Sequence, residues 1–88
     1  MIARFLTEDG KIKQLPAKQR SKLEVLQYLA TKFEGHVTYS EKEINRIIDA
    51  WHTFGDYFLL RRELVDHLFL ARTNDGSKYW VPEKNNED

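Results

Sequence analysis

The chain has 88 residues and no cysteine, which excludes disulfide staples and thiolate metal sites and leaves room for one core. With 41% hydrophobic and 12% aromatic residues it is not a disordered, charge-dominated chain. Formal net charge is zero, from 14 basic and 14 acidic residues, so the molecule as a whole is no polycation and a polyanion would have to be met locally.

The charge is unevenly placed. Residues 1–33 carry seven Lys/Arg against three Asp/Glu, whereas residues 34–70 carry four against seven. The front is basic and the middle mildly acidic. Met1 to Leu6 is too short and too soon interrupted by charge for a signal peptide, and no run is long enough to cross a bilayer. The expectation is a cytoplasmic protein without membrane contact.

In chain order, Arg4-Phe5-Leu6-Thr7 and Lys11-Ile12-Lys13-Gln14 flank an Asp9-Gly10 turn and predict a short N-terminal strand pair. Pro16 then leads into a first helix over 17–34, with Leu23, Leu26, Ala30 and Phe33 on one face and Leu29 beside them. Gly35 stands where a left-handed cap is wanted. Val37-Thr38-Tyr39 suits one brief strand.

Ser40-Glu41-Lys42-Glu43 reads as a capping box, and Ile44, Ile47, Ile48 and Trp51 follow at helical spacing. They predict a second helix over 41–52. Asp56 caps a third over 57–67, whose inward stripe is Tyr57, Leu60 and Leu64, with Leu68 just past its end. Phe69 to Arg72 and Lys78 to Val81, around Asn74-Asp75-Gly76, predict a hairpin that Pro82 ends.

Helix, strand, helix, turn, helix, hairpin is the connectivity of a winged helix-turn-helix. The expected class is therefore α+β: a single winged-helix-like domain over 1–88. Residues 1–16 form the strand pair, 17–82 the helical core and wing, and 83–88 a flexible tail. A plain three-helix bundle would leave the hairpin unexplained.

Four blocks carry a resemblance: Arg4-Phe5-Leu6 through Asp9-Gly10-Lys11-Ile12-Lys13 to Pro16-Ala17-Lys18; Tyr39 to Asn45; Leu60-Arg61-Arg62-Glu63-Leu64-Val65-Asp66; and Asp75-Gly76-Ser77-Lys78-Tyr79-Trp80. In these the sequence resembles a bacterial winged-helix-like domain family of unknown function, found alone or fused to helix-turn-helix transcriptional regulators. The resemblance implies a link to regulators and supplies no activity or site residues.

The residues themselves offer no enzyme. His36, His52 and His67 are too widely spaced to present two imidazoles on one helix face, and His52 and His67 fall in last turns, where partial positive charge suits the carbonyl end. The glycines are isolated turn residues, and no phosphate-cradling loop is present. No catalytic residue, metal or cofactor is expected.

Two binding readings stand. In the first, the domain is a regulator-associated binder of double-stranded DNA that works mainly through phosphates. Lys11, Lys13, Lys18, Arg20 and Lys22 supply charge, Arg61 and Arg62 approach the groove, and Arg72 and Lys78 steady the wing. Glu63 and Asp66 on the outward face of the third helix speak against this. In the second, the domain contacts protein, either a regulator or a second copy as a homodimer, through Phe58 and Leu59, which lie off the inward stripe.

Overall fold

A computed structural model of the chain describes residues 2–83. Its helices are α1 (Gln19–Ala30), α2 (Glu41–Ala50) and α3 (Tyr57–Asp66), and its strands are β1 (Tyr39–Ser40), β2 (Ala71–Arg72) and β3 (Lys78–Trp80). The architecture is α+β, three helices against a three-stranded antiparallel sheet of order β1-β3-β2. Residues 84–88 of the expected tail lie outside the described residues.

Local chemistry explains where α2 and α3 begin. The Ser40 hydroxyl accepts from the Glu43 N–H while the Glu43 carboxylate accepts from the Ser40 N–H, satisfying two orphan donors of α2. Asp56 caps α3 by accepting from the Leu59 N–H. Ile44 and Ile48 of α2 and Leu60 and Leu64 of α3 are wholly buried, together with Val25, Leu26 and Leu29 of α1. Tyr79 sits at the centre of the sheet, opposite Tyr39 on one side and Arg72 on the other, and is buried.

Several expectations need correction. The N-terminal strand pair is not a ladder. Ala3–Phe5 is a turn of 3-10 helix, and only one antiparallel bridge forms, Leu6 to Ile12. Ile12 is drawn the other way by the α2–α3 turn: its N–H donates to the Trp51 carbonyl and its carbonyl accepts from the Thr53 N–H. Phe5, freed from strand geometry, is buried in the core.

The first helix is also shorter than expected, ending at Ala30. The N–H groups of Thr31, Lys32 and Phe33 bond three residues back, which tightens the chain and turns Phe33 inward. The left-handed residue beyond them is His36 (φ 63), not Gly35. Val25, which the sequence pattern passes over, is in the core, and Leu23 and Ala30 are only half-buried.

On α3, Tyr57 is 37% exposed and Leu68 77% exposed, so neither belongs to the inward stripe. The end of α3 explains Leu68. The His67 N–H bonds to the Glu63 carbonyl and the Phe69 N–H to that of Leu64, closing the helix through a left-handed residue, Leu68 at φ 66. Glycine is the ordinary occupant of such a position; a leucine there carries about 1–2 kcal/mol of strain and is pushed into solvent.

Candidate interaction surface

The α2–α3 pair is fastened at two places by side chains that reach across it. At the turn, His52 is buried, contrary to the expectation of a charged helix-end histidine. Its Nε2 accepts from the Asp56 N–H (2.8 Å), so Nδ1 bears the proton and donates to the Ile48 carbonyl (2.8 Å). A neutral imidazole thus ties the end of α2 to the cap of α3, with Phe54 edge-on against it (4.8 Å between centroids).

Further along, the Arg61 guanidinium donates to Asn45 Oδ1 (2.6 Å) and pairs with Glu41 (3.0 Å), both on α2. Only 12% of its side chain is exposed, and the rings of Phe58, Tyr57 and Tyr79 stand 5.4, 5.9 and 6.0 Å from it. Arg61 is therefore a strut between α2, α3 and the sheet. Its guanidinium, expected from sequence to approach a groove, is engaged within the chain.

The remaining expected cations fall into two groups. Lys22 on α1 pairs with Glu63 on α3 (3.6 Å), which also holds His67 (3.3 Å), so this lysine is an interhelical tie. Arg62 lies 3.9 Å from Asp66 on the open face of α3. Arg72 donates to the carbonyls of Thr73 and Asn74 in its own hairpin turn. Lys78 is exposed on β3.

By contrast, Lys11, Lys13, Lys18 and Arg20 make no ion pair among the described residues. Lys11 and Lys13 flank Ile12 beside the α2–α3 turn, and Arg20 lines a hollow with Arg4, Ser21 and Glu24 at the start of α1.

The outer face of α3 and the hairpin enclose a cleft of about 400 Å³ that brings Arg61, Arg62 and Arg72 together with Glu41, Asp66 and Asp75. Three carboxylates balance three guanidiniums, so the cleft offers no surplus charge to a phosphate. Asp75 is held down to about 2 by hydrogen bonds from the hydroxyls of Thr73 and Ser77 and from the Ser77 N–H, and stays charged.

Apolar surface is the other feature of this side. Phe58 is 58% exposed at the cleft, while Leu59 is half-buried. Leu68, with Val65, Leu70, Ala71 and Pro82, lines an adjoining hollow of about 430 Å³. Val65 and Arg72 border both spaces, making one continuous surface from Phe58 to Leu68. Sequence reasoning finds Phe58 because it breaks the α3 stripe. It misses Leu68, the Arg61 strut and the His52 tie. The signal available for these last two is the four-residue spacing of Glu41 and Asn45 and of Ile48, His52 and Asp56.

Among the described residues no group of three His, Asp or Glu side chains could hold a metal ion, and no helix is long and apolar enough to cross a membrane. The molecule is thus a small α+β domain in which one open helix face adjoins a hairpin. It belongs to the family of uncharacterized proteins conserved in bacteria designated DUF2087, whose model matches residues 11–81, from the Ile12 bridge through all three helices and the sheet. Searches of curated proteins and of solved structures return no match.

Proposed function

We propose that this chain is a winged-helix module of bacterial transcription regulation that works by binding protein through the outer face of α3 and the adjoining hairpin. The order of elements and the sheet order β1-β3-β2 support the winged-helix reading, with α3 in the place of the recognition helix. The observation that carries the protein reading is the state of that face. Arg61 is mostly buried in a strut, Arg72 is engaged in its own hairpin turn, the exposed Arg62 is balanced by the exposed Asp66 four residues on, and the exposed apolar positions beside them are Phe58 and Leu68. A groove reader would present free donors for base edges there. An exposed apolar surface rimmed by paired charges suits a protein partner.

The test is a photo-crosslinking amino acid in place of Phe58, in bacterial cells. A protein adduct is expected. A nucleic-acid adduct, or no adduct, would overturn the reading.

Phosphate-dominated binding of double-stranded DNA is the second reading, favoured by the four cations Lys11, Lys13, Lys18 and Arg20, which have no ion-pair partner among the described residues. Fluorescence anisotropy with random duplex DNA separates the two. Binding that weakens steeply with salt and is lost in Lys18→Glu and Arg20→Glu would put DNA in the place of protein.

A further inference from the structure

We infer that the partner of the α3 face is a second copy of this chain, docked antiparallel about a two-fold axis that crosses α3 near Glu63 and Leu64. This rests on the protein-binding reading and names its occupant.

The order of side chains along the face carries the assignment. From the start of α3 outward it runs Phe58, Arg62, Asp66, Leu68: apolar, positive, negative, apolar. Turned end for end, the same series reads apolar, negative, positive, apolar. One axis therefore sets Arg62 against the second copy's Asp66, and Phe58 against its Leu68, and repeats both contacts on the other side. The Arg62 and Asp66 pairing centres on position 64 of α3, and Phe58 and Leu68 lie outside it, one before and one after in the chain.

The surface is continuous over this length, because Val65 and Arg72 border both the cleft beside Phe58 and the hollow beside Leu68. Within one chain the Arg62–Asp66 pair is long, 3.9 Å, with 68% and 59% of the two side chains exposed, so both groups are open to a better partner. Antiparallel helices also set opposite ends of their dipoles together.

Leu68 supplies an independent observation. Its backbone is left-handed (φ 66), where glycine would be relaxed, and its side chain is 77% exposed. A lone domain gains nothing from a leucine there. A dimer buries it against Phe58.

The experiment is light scattering on the full chain across the micromolar range. The wild type is expected as a concentration-dependent dimer. Arg62→Asp and Asp66→Arg should each weaken dimerisation at least tenfold, while a one-to-one mixture of the two variants regains it. In the mixture every intrachain pair stays broken and only the contacts between chains are complementary, so recovery can come only from those contacts. Leu68→Gly should loosen the dimer while raising the melting temperature measured at low concentration. A purely local role for Leu68 would raise the melting temperature and leave the dimer unchanged, which counts against the proposed pairing with Phe58.

A wild-type monomer throughout the range, or a mixture no more associated than its parts, overturns the second-copy assignment. The crosslink at position 58 keeps the two proposals distinct. An adduct with a different protein removes the second copy and leaves the protein reading standing, and no protein adduct removes both.

Discussion

Two turns with the same chemistry lead to different structures in this molecule. Thr7-Glu8-Asp9-Gly10 and Thr73-Asn74-Asp75-Gly76 each place a threonine hydroxyl on the aspartate two residues ahead. In each, the glycine N–H donates to the threonine carbonyl at 3.0 Å, and the glycine is left-handed, at φ 86 and φ 74. In each, the N–H of the next residue, Lys11 or Ser77, reaches back to the threonine hydroxyl.

Beyond the glycines the two segments diverge. The second turn is one residue longer, closing Thr73 on Lys78 where the first closes Thr7 on Lys11. The second feeds β3, which has a strand on each side. The first feeds Ile12, whose N–H and carbonyl are taken by the α2–α3 turn. A turn motif sets local geometry, but the neighbours that the next residues meet on their far side decide whether a sheet or a clip results.

The largest expected effect tests that distinction at the two central side chains. Ile12 is wholly buried and Tyr79 nearly so. Truncating either to alanine should cost about 2–5 kcal/mol by denaturant unfolding, but with different local signatures. Ile12→Ala should raise amide exchange at Thr53, which donates to the Ile12 carbonyl, while sparing Thr73 in the hairpin. Tyr79→Ala should do the reverse. If both variants raise exchange at both sites equally, the N-terminal segment is not a clip on the helix turn.

The glycines come next. Alanine at Gly76 meets only van der Waals contacts, 3.7 Å from Arg72 and 3.9 Å from the Tyr79 hydroxyl, so its cost is the left-handed strain of about 1–2 kcal/mol. At Gly10 the added Cβ would lie 2.9 Å from the Tyr28 hydroxyl, which itself donates to the Gly10 carbonyl at 2.7 Å. Gly10→Ala must strain the backbone and also displace that bond, adding about 1 kcal/mol. The urea midpoint should therefore fall further for Gly10→Ala. Equal midpoints would make the Tyr28 contact energetically idle.

The same contrast explains what is legible in the sequence. Most features written within four or five residues can be read: the Ser40–Glu43 box, the Asp56 cap, the Ile44, Ile47 and Ile48 stripe, and the Asn74-Asp75-Gly76 turn; the His52 tie to Ile48 and Asp56 is the exception. Strand β1 is read only in part: the β-branched and aromatic run Val37 to Tyr39 points to a strand, but the strand formed is Tyr39–Ser40, and Val37 and Thr38 precede it. Features that depend on a distant partner cannot be read. The four-residue spacing of Glu41 and Asn45 on another helix is visible, but nothing near Arg61 names it as the side chain they will hold. Nothing near Ile12 announces the backbone of Trp51 and Thr53, on the far side of two helices. Leu68 escapes because a left-handed leucine breaks a local preference, which no propensity can anticipate. The candidate surface is thus half visible: Phe58 by exclusion from the stripe, Arg62 and Asp66 by their outward position, and Leu68 not at all.

The smallest effect is on the two aspartates themselves. Both are lowered by the threonine hydroxyl, but Asp75 also receives the Ser77 hydroxyl and N–H and falls to about 2, whereas position 11 offers Asp9 a lysine in place of a second hydroxyl. A carboxyl lowered on folding stabilises the native state above its unfolded value, here 3.8. That contribution fades as pH drops toward 2, when the folded group also takes up its proton. Carboxyl carbon NMR titration should find Asp75 ionising below Asp9. Thr73→Val or Ser77→Ala should move Asp75 upward toward 3.8 and leave Asp9 alone, while Thr7→Val should do the converse. The hairpin tip would then loosen on acidification at a higher pH in Ser77→Ala than in the wild type. If Ser77→Ala leaves Asp75 where it was, the second hydroxyl does not hold the carboxylate, and the two turns are electrostatic equals.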